Sequence, residues 1–90
     1  MITVILWLCN ALDLQFVNVT NNTVGVIIPT NIGVCEVRLD AWVDSLGAAR
    51  ERLWVIFDYL DGSDADTASF TNRSAAKAFI SDILEISDLI

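Results

Sequence analysis

The stretch from Asp40 to Gly62 constrains the fold more than any other part of the 90-residue chain. Its apolar residues recur at steps of four and three, which is the spacing of one helix stripe; they are Trp42, Leu46, Ala49, Leu53, Ile56 and Leu60. Asp40 stands where an N-cap residue is expected, and Gly62 closely follows the stripe, as a C-terminal glycine does. The pattern predicts one helix over residues 41–60, with Trp42 in the core.

Gly47 leaves a second interpretation of this stretch open. A glycine inside a helix costs about 1 kcal/mol relative to alanine, so Gly47 could instead end a short helix. The following segment Leu53–Leu60, LWVIFDYL, is rich in β-branched and aromatic residues and would then form a buried strand. Gly47→Ala should stabilise the first arrangement and destabilise the second, because alanine suits a helix interior but not a left-handed cap.

The N-terminal part is expected to form a sheet. Four segments are predicted as strands: Ile2–Leu8, Leu14–Thr20, Thr23–Ile28 and Val34–Leu39. The first is a continuous apolar run typical of a strand buried on both faces; a buried helix turn is the alternative, which the short length of the run disfavours. The last alternates between apolar and polar residues. Asn21-Asn22 fits a two-residue type I′ turn, because asparagine tolerates positive φ. Thr30 to Gly33 reads as a further turn.

The C-terminal part completes the predicted fold. Residues 61–72 are small and polar and are expected to form the longest loop. Phe79, Ile83 and Ile86 keep helical spacing and predict a helix from about Ser74 to Ser87. The chain is therefore expected to be a single α+β domain, an antiparallel sheet of about four strands covered by two C-terminal helices. The alternative has five strands, with Leu53–Leu60 as the fifth.

Charge is distributed unevenly. Asp13 is the one charged side chain among residues 1–35, whereas eleven acids and five bases lie from Glu36 onward, and the net charge is −7. An acidic chain is a poor binder of nucleic acid or of an anionic membrane surface, so neither is expected as a partner. With 54% hydrophobic and only 19% charged residues, the small domain has little charge to cover its surface, which favours an oligomer.

Residues for catalysis and for cofactor or metal binding are scarce. The chain has no histidine, no CxxC motif and no glycine-rich phosphate loop, so an enzyme and a zinc site are not expected, and no cofactor is predicted. Cys9 and Cys35 are interpreted as buried apolar thiols in a cytoplasmic protein; a disulfide between them stays open only if the strands that carry them are neighbours. The acidic loop 58–66 imitates only the start of a calcium loop, since Gly62 lies too early and no glutamate closes it.

These observations favour a non-enzymatic, acidic protein-interaction module. It would be a homo-oligomer, self-associating through the nearly uncharged sheet, or an inhibitor or adaptor that binds a basic protein surface. The alternative is a module that binds a small molecule or divalent cation through loop 58–66. The predicted interface consists of Trp54, Asp58, Asp61, Asp64 and Asp66. Trp54 is included because it lies off the helix stripe and because exposed tryptophans are enriched at interface hot spots.

Overall fold

The structure is a computed structural model that describes residues 1–20 and 23–86. Two helices flank five strands in the described chain. Helix α1 spans Ile2–Leu12 and α2 spans Arg73–Ile86. The strands are β1 Val17–Thr20, β2 Thr23–Pro29, β3 Gly33–Val43, β4 Ala49–Tyr59 and β5 Asp66–Phe70. The fold is α+β, as predicted, and the strand count of the alternative arrangement is correct, but its first strand is helix α1 and the fifth observed strand is β5.

The sheet is an antiparallel meander in the order β1-β2-β3-β4-β5. Both helices pack against one face, since their buried residues belong to the same core cluster as the inward residues of β2, β3 and β4. Alternation on β3 confirms the prediction for that strand: Cys35, Val37 and Leu39 are buried, whereas Val34, Glu36 and Arg38 lie on the opposite face. The molecule is therefore a two-layer sandwich with one face of its sheet outside the core.

The helix predicted over residues 41–60 is wrong. Leu53, Val55 and Phe57 are buried at every second position, which is the period of a strand, and β4 pairs with both β3 and β5. Trp42, predicted to lie in the core, is exposed. The apolar residues of this stretch fit the period of a helix and that of a strand. The strand is favoured because its residues include β-branched and aromatic types, which are weak helix formers, and because its backbone forms hydrogen bonds with a strand on each side.

The strand predicted over Ile2–Leu8 is also wrong, because this run begins helix α1. Its buried residues are Val4, Ile5 and Leu8, at helical spacing, while Leu6 is exposed. A continuous apolar run has no period of its own, so it fits a buried helix face as well as a central strand. The helix ends at Asp13, which has a left-handed conformation (φ 52°), and Leu14 N donates to Cys9 O at 2.9 Å.

Helix α2 agrees with the predicted C-terminal helix. Asn72 caps it, since its side-chain Oδ1 accepts a hydrogen bond from Ala75 N at 3.0 Å. The long loop predicted over residues 61–72 contains β5 instead, which pairs with β4. The turn predicted at Asn21-Asn22 lies outside the described residues.

The two cysteines are free thiols. Cys35 is buried in the core, and burial raises its pKa to about 11, so that the thiol is neutral at pH 7. Cys9 is half-buried on α1. Of the helices in the described parts of the chain, none combines the length and the apolar character needed to cross a membrane.

Candidate interaction surface

The central strands β3 and β4 extend beyond their neighbours. The pairing of β2 with β3 stops at Asp40, and the pairing of β5 with β4 stops at Leu53. Residues 41–51 pair only with each other among the described strands, from Ala41–Glu51 to Val43–Ala49. This segment, called the arm below, projects as a two-stranded hairpin from one end of a molecule that is 43 Å long and 28 Å by 23 Å across.

Asp44 organises the turn at the end of the arm. Its Oδ1 accepts hydrogen bonds from the backbone N–H groups of Leu46 and Ala48, both at 2.9 Å, and its Oδ2 accepts one from Arg50 Nε at 2.9 Å. The bond from Arg50 is the main reason why the pKa of Asp44 lies below its usual value. Gly47, with φ +82°, supplies the left-handed residue that closes the turn. The turn therefore holds its shape without a ligand.

The arm exposes apolar side chains. Leu46 is 91% exposed, Val43 68% and Trp42 44%. None of the three belongs to the core cluster, so the fold itself does not require them to be apolar. Scattered exposed apolar residues are normal, but several on one projecting element indicate a contact surface.

The base of the arm is tied to the rest of the molecule. The amino group of Met1 lies 2.8 Å from Glu51 Oε1, which joins the start of α1 to the first strand residues of β4. On the adjoining strands, Thr23 Oγ1 donates to Asp40 Oδ1 at 3.0 Å. These bonds restrict the orientation of the arm relative to the rest of the sheet.

The open face of the sheet, opposite the helices, continues from the arm. No element of the described chain packs on it. Glu36 and Arg38 form an ion pair there at 2.6 Å, and the Arg52 guanidinium lies 5.8 Å from the centre of the Trp54 ring. The apolar residues on this face are half-buried or exposed; they include Ile27, Val34, Trp42, Trp54 and Ile56. The face thus mixes aromatic, aliphatic and charged groups, as protein interfaces do.

An apolar groove of about 450 Å³ lies on the helix side, between α2 and strands β4 and β5. Ile32, Phe79 and Ile83 form its outer walls, and the inward residues of β4 form its floor. Tyr59 and Asp66 stand at its polar end, where the tyrosine hydroxyl donates to Asp66 Oδ2. That bond raises the pKa of Tyr59 above its usual value. The groove is at the end of β4 opposite the arm, because Tyr59 is ten residues from Ala49.

The five residues predicted as an interface fall on different surfaces. Trp54 and Asp58 lie on the open face of β4, at positions that differ by an even number. Asp66 lies on the helix side with Tyr59. Asp61 accepts hydrogen bonds from Ser63 N at 2.9 Å and Ser63 Oγ at 2.5 Å, which hold its pKa below the usual value, and it shares the exposed loop with Asp64.

The arm is the feature that the sequence interpretation missed. Its residues Trp42 and Leu46 were assigned to the buried stripe of a helix, which removed them from the candidate contacts. The signal that could have found it is Asp44-Ser-Leu-Gly47, an Asx-type turn with a glycine between segments of β-forming residues. A five-residue hairpin loop predicted over residues 44–48 would have placed Trp42 on a strand that leads into this loop.

Neither metal ligands in the described residues nor a similarity to known proteins indicates a function for this surface. Within residues 1–20 and 23–86, no three Cys, Asp or Glu side chains come close enough to hold a metal ion. A scan against protein-family models, a search of curated proteins and a search of solved structures each found no match.

Proposed function

We propose that the protein is a non-enzymatic interaction module that assembles with further copies of itself, and that the arm is its contact element. The observation that carries this proposal is the exposure of Trp42, Val43 and Leu46 on the arm, whose turn Asp44 holds in place. Covering these side chains would be favourable by about 25 cal/mol per Å² of apolar surface. The turn is already ordered, so binding would lose little conformational entropy there.

The arm is preferred over the acidic loop as the main source of binding energy. Loop 58–66 was expected to attract a basic protein, and its acids remain available for that role. Exposed charges at the edge of an interface chiefly change association rates, whereas desolvated aromatic and aliphatic side chains carry most of the affinity. Trp42 and Leu46 are such side chains, and they lie where β3 and β4 extend beyond their neighbouring strands.

The small size of the arm limits the strength of the expected assembly. A stable interface covers about 800 Å² on each partner, and one aromatic side chain contributes about 150–250 Å². Trp42, Val43 and Leu46 alone therefore make less than a full interface. We expect dissociation constants in the micromolar range, with copies exchanging rapidly.

Sedimentation velocity across a micromolar concentration series tests the proposal, with Leu46→Ser as the decisive variant. The Leu46 side chain is almost fully exposed, so its loss should leave stability within about 0.5 kcal/mol. The wild type should gain mass with concentration, and the variant should remain monomeric or associate at least tenfold more weakly.

Leu6→Ser is the matched control, because Leu6 is an exposed leucine on α1, away from the arm. It should associate like the wild type. A wild-type protein that stays monomeric throughout, or a Leu46→Ser variant that assembles like the wild type, overturns the proposal.

A further inference from the structure

We infer that the arm of one copy binds in the apolar groove of the next, so that the protein assembles head to tail. This inference rests on the proposed function and names the surface that receives the arm. The exposed apolar tip and the apolar groove belong to the same chain, and neither is filled by the described residues of its own copy.

Geometry excludes contact between the tip and groove of a single copy. Strand β4 runs without a break from Ala49, at the arm turn, to Tyr59, at the polar end of the groove. Ten residues at about 3.3 Å each separate these ends by about 33 Å. The strand is paired on β3 along its whole length, which keeps it extended, so the arm can reach only the groove of another copy.

The groove suits the tip in size and character. A volume of about 450 Å³ lies within the range of pockets that enclose whole small ligands, which is ample for two side chains of an arm tip. Ile32 and Phe79 at its mouth are themselves 43% and 38% exposed. Seating Leu46 and Trp42 there would therefore cover apolar surface on both copies at once.

The two ends differ in charge: the groove end is acidic, whereas the arm has one basic side chain, Arg50, beside Asp44 and Glu51. Arg50 pairs with Trp42 across the arm, and its side chain is 60% exposed while it also bonds Asp44. The groove end carries Asp58, Asp66 and the loop between them, with four aspartates and no basic residue in positions 58–66. The acidic loop expected to meet a basic protein would thus face the arm of the next copy.

The head-to-tail arrangement is heterologous, which distinguishes it from a symmetric dimer. Each copy uses two different patches, so assembly continues into a ring or an open chain. A symmetric contact, whether arm against arm or open face against open face, uses the same patch twice and stops at two copies.

A complementation experiment separates these arrangements. Leu46→Asp disables the tip, and Ile32→Asp places a charge at the mouth of the groove, where it would repel the apolar tip. Each variant alone should be monomeric. Mixed in equal amounts, they should form 1:1 dimers that grow no further, because the mixture contains one intact tip and one intact groove.

Phe79→Ser serves as a second groove variant, and urea unfolding of each variant establishes that it is folded. Disulfide formation between Leu46→Cys in one copy and Ile32→Cys in the other, both in a Cys9→Ser background, should occur only in the mixture. Failure of Leu46→Asp to complement both folded groove variants, or unchanged assembly of those groove variants alone, overturns the head-to-tail inference while the role of the arm stands. A wild type that never assembles overturns both.

Discussion

Two glycines hold the ends of the central hairpin region for different physical reasons. Gly47 has φ +82° and open space around the position of a side chain, so only its backbone conformation excludes other residues. Gly33 has no such backbone constraint, but a Cβ there would lie 2.2 Å from Asp58 O and 2.6 Å from Phe57 Cε1. The first is a conformational requirement and the second is a packing requirement.

Alanine at each glycine should therefore destabilise the protein by different amounts. Gly47→Ala should cost about 1–2 kcal/mol, the penalty of a left-handed conformation for a residue with a Cβ. Gly33→Ala should cost more, about 2–4 kcal/mol, because β3 and β4 must separate. Urea unfolding at fixed protein concentration measures both. Gly47→Asn is the control, since asparagine tolerates positive φ, and it should recover much of the loss; a stabilising Gly47→Ala would contradict the hairpin.

At the scale of elements, α1 is a helix where the sequence pattern predicted a strand over Ile2–Leu8. In a strand, Val4, Leu6 and Leu8 would share one face, whereas the helix buries Val4, Ile5 and Leu8 and exposes Leu6. Because Leu6 is exposed in the helix but would share the buried face of a strand, substitution of Leu6 distinguishes the two structures.

Leu8→Ala should destabilise the protein by about 2–5 kcal/mol, because it removes a fully buried side chain and leaves a cavity. Leu6→Ala should change stability by less than about 1 kcal/mol, because much of that side chain is already in water and alanine is a good helix former. Thermal or urea unfolding compares the two. Equal, large losses at both positions would indicate a strand with Leu6 and Leu8 on one buried face.

Secondary structure could be predicted from the sequence where the apolar residues follow one period, but not where they follow two periods or none. The alternation of β3 and the amphipathic spacing of α2 each matched one period, and both elements were confirmed. Ile2–Leu8 had no period, and residues 42–60 satisfied two, so the choice depended on pairing partners far away in the chain. The turn of the arm could be predicted from Asp44-Ser-Leu-Gly47, but the exposure of the arm could not, because it follows from β2 and β5 ending before β3 and β4 do.

At the scale of the whole molecule, both ends of β4 carry acids: four aspartates lie in positions 58–66 at the groove end, and Asp40, Asp44 and Glu51 accompany Arg50 and Arg52 toward the arm. Two copies of net charge −7 repel each other, and salt screens this repulsion beyond about 8 Å at physiological ionic strength. Head-to-tail association should therefore become faster as salt rises, while the apolar contact persists.

Asp58→Asn combined with Asp64→Asn should speed association and flatten its dependence on salt, because it removes two of the charges that repel the next copy. These acids are chosen because Asp61 and Asp66 also hold local structure through Ser63 and Tyr59. Asp13→Asn with Glu85→Gln removes the same charge outside the arm, the acidic loop and the groove lining, and is the matched control. Stopped-flow association rates across a salt series measure the effect, and identical salt slopes for the two double variants would remove the loop from the contact.

The meander order of the sheet has a consequence for how the chain folds as it is synthesised. Each strand pairs with the strand made just before it, so the sheet can grow hairpin by hairpin behind the ribosome. Helix α1 is made before the surfaces it contacts, which belong to β2, β3 and α2. At about 5–20 residues per second, its apolar side chains wait several seconds for α2. Strands β2 and β3 can cover part of the apolar face of α1 earlier, but the core is complete only when α2 packs against the sheet.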